Sequence, residues 1–167
     1  MNSNIKYAFF ADGDTIENYL FFGCCCLESV CFNSSVTKIG AYAFAGCESL
    51  TGINLNSLGK LNEIKNGSFL ACAGLEEIVF PESVNKIGDY AFAECTGLRS
   101  VTIKNPSMEI GESVFRGCGN LKLKLEGDVS KYKELLKDYA SYGINDDCKV
   151  SLDDGSEKRI DEFLRKQ

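Results

Sequence analysis

Nine cysteines and no histidine bound the chemistry open to this chain. Without imidazole, Ser-His-Asp and Cys-His catalysis, histidine-ligated zinc and imidazole proton transfer are all closed to a single chain. The thiols remain. Cys24, Cys47, Cys72, Cys95 and Cys118 follow one another at steps of 23, 25, 23 and 23 residues. A line of thiols does not converge on a point as tetrahedral zinc requires. These five therefore read as small, reduced side chains buried in a tight corner. The odd total also argues against a disulfide framework. The one local cluster is Cys24-Cys25-Cys26 with Cys31; Cys25 and Cys26 stand where Glu48 and Ser49 stand one period later, at partly exposed places. A metal or redox role there is the sharper reading, and sequence drift at a turn the plainer one.

The carboxylates offer less. Asp12-x-Asp14 opens like a calcium loop but lacks the glycine and glutamate that the loop needs at its sixth and twelfth places. Asp146, Asp147, Asp153 and Asp154 are likewise misplaced around Gly155. Both segments read as turns. Nothing marks a carboxylate pair for glycoside hydrolysis. No catalytic residue, metal ligand or cofactor is therefore assigned.

The elements that carry these residues repeat. Isoleucine recurs at Ile16, Ile39, Ile64, Ile87 and Ile110, and phenylalanine at Phe21, Phe44, Phe69, Phe92 and Phe115. Leucine follows each ladder cysteine at Leu27, Leu50, Leu75, Leu98 and Leu121. The two extra residues of the longer step fall in the loop from Asn56 to Lys60. One such unit cannot bury its apolar edge alone, but stacked copies share a continuous core. A period near 23 fits one strand and a compact return per coil. Alternation places the strands at Leu27-x-x-Val30-x-Phe32, Leu50-x-x-Ile53-x-Leu55, Leu75-x-x-Ile78-x-Phe80 and Leu98-x-x-Val101-x-Ile103. One period earlier lie Tyr7 and Phe9, taken as the inward residues of a first strand. Successive strands are expected to run parallel at roughly 4.8 Å.

The string from Leu75 to Leu98, L-x-x-I-x-F-P-E-S-V-x-K-I-G-x-Y-A-F-x-x-C-x-x-L, resembles the repeat of BspA-like leucine-rich-repeat proteins. The resemblance runs from about Tyr7 to Leu125. It implies an α/β leucine-rich-repeat solenoid with a parallel concave β-sheet and a C-terminal helical cap. It also implies surface or adhesin-like proteins of bacteria and some parasitic protists, with no one shared ligand. Glu17 and Lys65 depart from the pattern where Gly40, Gly88 and Gly111 stand.

The solenoid is assigned to residues 1–127 and a cap of helix, strand and helix to residues 128–167. Tyr132, Leu135, Leu136, Tyr139 and Ala140 share one helical face, with Ser130 as N-cap and Val129-x-x-Tyr132 resembling the family's closing segment. Cys148, Val150 and Leu152 alternate as a strand. Asp153-Asp154-Gly155 forms a turn, with Asp154 and Glu157 spaced as a capping box for a last helix whose apolar stripe is Ile160, Phe163 and Leu164. A net charge of −6 with no basic–aromatic cluster argues against nucleic acid. No run reaches the ~18 apolar residues of a membrane span, and no signal segment is seen. The sequence as it stands reads as cytoplasmic, with a cell-surface or secreted location implied by the resemblance.

What is left for function is the outward side of the strands. Ser29 and Cys31, Gly52 and Asn54, Glu77 and Val79, Ser100 and Thr102, and Lys122 and Lys124 are expected to point outward, with Lys6 and Ala8 before them. This stripe is small, mixed and free of aromatic residues, with a basic end at Lys122 and Lys124. Its area is on the order of 400 Å², about half of what each partner gives to a standard interface. A protein partner, or a short peptide or glycan, is the expected ligand of Ser29, Cys31, Asn54, Glu77, Val79, Ser100, Thr102, Lys122 and Lys124, with help from adjoining loops.

Overall fold

A computed structural model describes residues 4–152 and 154–165; the turn expected at Asp153 lies partly outside them. In chain order the strands are β1 (Tyr7–Phe10), β2 (Thr15–Ile16), β3 (Ser29–Phe32), β4 (Lys38–Ile39), β5 (Gly52–Ile53), β6 (Glu63–Ile64) and β7 (Glu77–Val79). There follow β8 (Lys86–Ile87), β9 (Ser100–Ile103), β10 (Glu109–Ile110), β11 (Lys122–Leu125), β12 (Lys149–Ser151) and β13 (Glu157–Arg159). The chain is a solenoid whose coils each give one strand to a long-strand face. The second ladder, β2-β4-β6-β8-β10, carries the isoleucine column and replaces the plain return expected after each strand. All pairings are parallel except β12 with β13.

A third wall holds the coils together without strands. Tyr19, Phe21 and Gly23 donate their backbone N–H groups to the carbonyls of Ala41, Ala43 and Ala45 at 3.0, 2.7 and 2.8 Å. Tyr42, Phe44 and Gly46 pass the pattern to Asn66, Ser68 and Leu70, and it continues to the fifth coil. Intervening N–H groups close local turns, as Phe22 does onto the Tyr19 carbonyl. Left-handed φ values at Tyr19, Tyr42, Gly67, Tyr90 and Ser113 accompany this alternation, of which only Gly67 is the residue that adopts such a φ freely.

Inside, the sequence columns become stacks. Phe21, Phe44, Phe69 and Phe92 lie face to face with centroids 5.2, 5.1 and 5.0 Å apart, and Phe115 follows at 6.1 Å. The ladder cysteines are buried, and each of the last four donates its thiol to the carbonyl of the phenylalanine one coil back, Cys72 to Phe44 at 3.1 Å. The extra residues of the third coil make a 3-10 turn at Leu55–Ser57, and burial of Leu58 beside Leu55 accounts for their apolar members.

The glycine column has a local cause. Asn18 Oδ1 accepts from Ala41 N at 2.8 Å and Asp89 Oδ1 from Glu112 N at 2.9 Å, drawing the next coil close. A Cβ on Gly88 would lie 2.6 Å from Asn66 N and 2.2 Å from Asn66 Oδ1. Lys65 and Glu17 take this place in the third and first coils. Gly88→Val is expected to cost about 3 kcal/mol in urea unfolding. Adding Asn66→Ala should recover only part, because the backbone contact remains; full recovery would place the whole clash in the side chain.

The end of the stack differs from expectation. The helix α1 spans only Tyr132–Leu136, after a 3-10 turn at Val129–Lys131 whose cap is Asp128, not Ser130: the Asp128 carboxylate accepts from Ser130 N. Beyond Leu136 the chain runs on in tighter turns, with Tyr139 N–H on the Leu136 carbonyl and Tyr142 N–H on the Tyr139 carbonyl, and the carbonyls of Ser141 and Tyr142 accept the N–H groups of Ser113 and Phe115. Glu157 belongs to β13, while Asp154 accepts from Ser156 N at 2.9 Å in the β12–β13 hairpin; α2 spans Ile160–Leu164 with Arg159 as N-cap, whose backbone N–H donates to the Glu162 carboxylate at 3.4 Å. Ile160 and Phe163 are buried, and Tyr132 Oη donates to the Ile103 and Glu126 carbonyls.

Candidate functional site

Two rows of side chains face outward on the long strands, and the pairing register says which. Tyr7 pairs with Ser29 and Phe9 with Cys31, so Ala8 and Phe10, not Tyr7 and Phe9, face the core. The expectation of an outward Ala8 is thereby corrected, while Lys6 is exposed as expected. The cause is a loop one residue short: Phe10 to Ile16 is six residues where Phe32 to Ile39 is seven. Gly13, at φ +89°, tightens that turn, and Asn33 Nδ2 donates to the Phe10 and Gly13 carbonyls. Tyr7 is 69% and Phe9 73% exposed. The stripe is therefore not free of aromatic residues; its first strand presents two.

Next to them the floor is low. Gly52 continues the row of Tyr7 and Ser29, and its absent Cβ would lie 2.8 Å from Ser29 Cβ. No ladder joins β5 to β7 among the described residues, because the inserted turn at Leu55–Ser57 displaces the strand's continuation. A groove of about 440 Å³ opens there, lined by Ser29, Cys31, Asn54, Glu77 and Val79 together with Gly52. Five of the expected contact residues thus meet in one place.

The other four lie apart from it. Lys124 Nζ reaches Glu77 at 3.0 Å, so this ion pair crosses the outward side of β9. Thr102 is only 5% exposed, which corrects its place among the open contact residues; Ser100 is half-buried, with an Oγ that lacks a hydrogen-bond partner. Lys122 pairs with Glu157, which also holds Lys149 at 3.6 Å. The basic end expected at Lys122 and Lys124 is thus countered by carboxylates. A second depression, of about 680 Å³, lies there between Arg99, Lys149, Asp147 and Arg159.

Around the aromatic pair the charges are also matched. Glu28 accepts from Lys6 Nζ at 2.9 Å and from Tyr7 Oη at 3.0 Å, and these bonds hold its carboxyl below the ordinary range. The same bond to Glu28 raises the Tyr7 phenol. Phe9 has no such tether.

The thiols divide in two. Burial pushes Cys47 and Cys118 up to about 12 and raises Cys72 and Cys95 as well. Cys25 and Cys31 are exposed, Cys26 is half-buried, and the Cys25 and Cys26 sulfurs are 3.9 Å apart. No group of three metal-ligating side chains occurs among the described residues. A chromogenic disulfide reagent at pH 8 should titrate three thiols quickly, Cys25, Cys26 and Cys31, and the other six only in denaturant. Fast reaction of more than three would contradict the buried ladder. Asp12 and Asp14 lie in a turn whose Asp14 carbonyl accepts from Thr37, and Asp146 accepts from Tyr139 Oη at 2.6 Å.

Tyr7 and Phe9 were hidden from sequence reasoning by the assumption of a constant period. The aromatic match of Phe10 to Phe32 was the available signal.

A family model described as a BspA type leucine rich repeat region matches residues 3–135 in six copies. The chain is similar to the leucine rich repeat protein of T. pallidum, with 34% identity over 73% of this chain and 59% of that one, at a TM-score of 0.67. It is also similar to a leucine rich cell surface protein of Faecalibacterium prausnitzii, with 29% identity over 84% of this chain and 35% of that one, at a TM-score of 0.70. The pneumococcal vaccine antigen PcpA shares the fold at 20% identity, over 90% of this chain and 37% of that one, with a TM-score of 0.65. The chain therefore spans about 59% or less of these relatives' lengths. No curated protein matches it significantly. No described helix is long and apolar enough to cross a membrane.

Proposed function

Since the chain belongs to the BspA-type leucine-rich-repeat family, we infer that it is a non-catalytic interaction module that holds an extended stretch of a partner protein. The site is the first half of the long-strand face: Tyr7, Phe9, Ser29, Cys31, Asn54, Glu77 and Val79. The observation that carries this reading is the pair of open rings beside a low floor. Aromatic side chains are expensive to leave in water and dominate binding where a partner covers them. The floor between β1 and β7 spans about 14 Å, enough for roughly four residues of extended peptide. Asn54 supplies a polar partner at its far edge, where Glu77 is already paired with Lys124, and Lys122 is held by Glu157. The family's fold is generally non-enzymatic, and the histidine-free sequence fits that use.

Panning a random peptide library on the immobilised protein tests the site. Enrichment is expected on the wild type, lost with Tyr7→Ser and Phe9→Ser together, and kept with Lys122→Glu and Lys124→Glu together. Enrichment that ignores the rings but falls with the lysines would move the site to the other end of the face.

A glycan-binding, adhesin-like use at a cell surface is the second reading. It is favoured by the surface location of the F. prausnitzii relative, and aromatic rings also stack on sugar faces. Binding to a glycan array by a chain that selects no peptide would prefer it.

A further inference from the structure

The long-strand face is broken once inside the stack. β5 and β7 belong to separate sheets, although the coils that carry them stay joined elsewhere. β4 pairs with β6, and Tyr42, Phe44 and Gly46 donate to Asn66, Ser68 and Leu70 at 3.0, 2.8 and 2.8 Å. A Cβ on Gly74 would lie 2.8 Å from the Glu48 carbonyl oxygen, so the two coils touch just before the break. The opening is local, and its cause is the inserted turn at Leu55–Ser57.

The break frees main-chain groups that the neighbouring coils use. Thr51 and Gly52 donate their N–H groups to the Glu28 carbonyl at 3.0 and 3.1 Å, and Arg99 and Ser100 donate theirs to the Glu76 carbonyl at 2.8 and 3.3 Å. The matching bonds from Glu76 and Glu77 to the Thr51 carbonyl are missing. Neither these N–H groups nor that carbonyl has another partner among the described residues. Thr51, Gly52 and Glu77 line the groove of about 440 Å³, and all three are exposed. Gly52, beside Thr51, has no side chain to keep a partner's main chain away from the sheet.

An acceptor therefore stands on one bank of the break and donors on the other. A carboxylate has no proton for Thr51, and an ammonium group has no lone pair for Glu77. A trans peptide group carries its N–H and C=O on opposite sides and answers both.

We propose that one peptide group of the partner segment bridges the break, donating to the Thr51 carbonyl and accepting from the Glu77 N–H. The proposal rests on a peptide occupying the groove and adds how it is held. Tyr7 and Phe9 anchor side chains of the partner, while the break holds its backbone whatever side chain stands there, proline excepted on the donating residue.

A peptide enriched on the wild-type protein, resynthesised with a backbone N-methyl group at each position in turn, tests the bridge. Methylation at one internal position is expected to weaken binding about tenfold or more, while alanine at that position changes it little. Glu77→Pro removes the N–H and should weaken the unmethylated peptide to a similar degree. Glu77→Ala keeps the N–H, loses the ion pair with Lys124, and should bind as the wild type does. In Glu77→Pro the methyl group at the sensitive position should add little further loss, because both changes act on one peptide group. Without peptide, Glu77→Pro should melt within about 3 °C of Glu77→Ala, since no bond is lost, whereas Ser100→Pro should melt at least about 5 °C lower. A Glu77→Pro variant that melts as low as Ser100→Pro would overturn the proposal. Peptides that need Tyr7 and Phe9 yet tolerate a methyl group everywhere, or bind Glu77→Pro as well as Glu77→Ala, would overturn the bridge and leave the aromatic site standing. A library from which nothing is enriched would overturn both.

Discussion

Replacing Phe69 with alanine is expected to lower the unfolding free energy by about 3–5 kcal/mol. The ring is fully buried between Phe44 at 5.1 Å and Phe92 at 5.0 Å, so its removal leaves a void bounded by two faces that cannot close on each other. The three hydrogen-bonded walls fix the coil spacing and prevent collapse into that void. Phe21→Ala should cost clearly less, since Phe21 is half-buried and has a ring on one side only. Urea unfolding of both variants gives the comparison. Equal losses would mean that the column does not act as a stack.

Raising the pH should unfold the protein early. Cys47, Cys118 and Cys148 titrate near 12 in the fold against an ordinary value of 9.0, and burial raises Cys72 and Cys95 too. The folded state keeps a proton that the unfolded chain gives up. This stability is therefore complete below pH 9 and is lost as the pH climbs towards 12. At pH 10 each buried thiol has forfeited about 1.4 kcal/mol, and the five together on the order of 7 kcal/mol. A small domain has little more than that to spare. Urea midpoints measured from pH 8 to pH 10 should fall steeply, and Cys47→Ala with Cys118→Ala should flatten the slope. A slope unchanged in that double variant would assign the alkaline loss to tyrosines or lysines instead.

Repetition explains what the sequence could reveal. Isoleucine, phenylalanine, cysteine and leucine each recur five times, so one misread position could not shift a column. The first strand had no such check. A single residue missing between Phe10 and Ile16 moved Tyr7 and Phe9 from the core to the surface. The third wall was hidden in one of its two left-handed columns, where Tyr19, Tyr42, Tyr90 and Ser113 do not advertise that backbone, while the other column carries Gly23, Gly46 and Gly117. The short helix α1 was hidden because its apolar spacing suits a longer helix, whereas the chain after Leu136 runs on in turns closed three residues apart, as Tyr142 N–H does onto the Tyr139 carbonyl. Ion pairs between distant strands, such as Lys124 with Glu77, depend on register and side-chain reach that spacing alone does not disclose.

Hydroxyl-radical footprinting of the protein, alone and with a peptide selected on it, bears most directly on the account. In the free protein Tyr7 and Phe9 should label readily while Phe44, Phe69 and Phe92 stay protected; with peptide bound, Tyr7 and Phe9 should become protected and Tyr90 should not. Rings at positions 7 and 9 that are already shielded in the free protein, or that label equally with peptide bound, would contradict it.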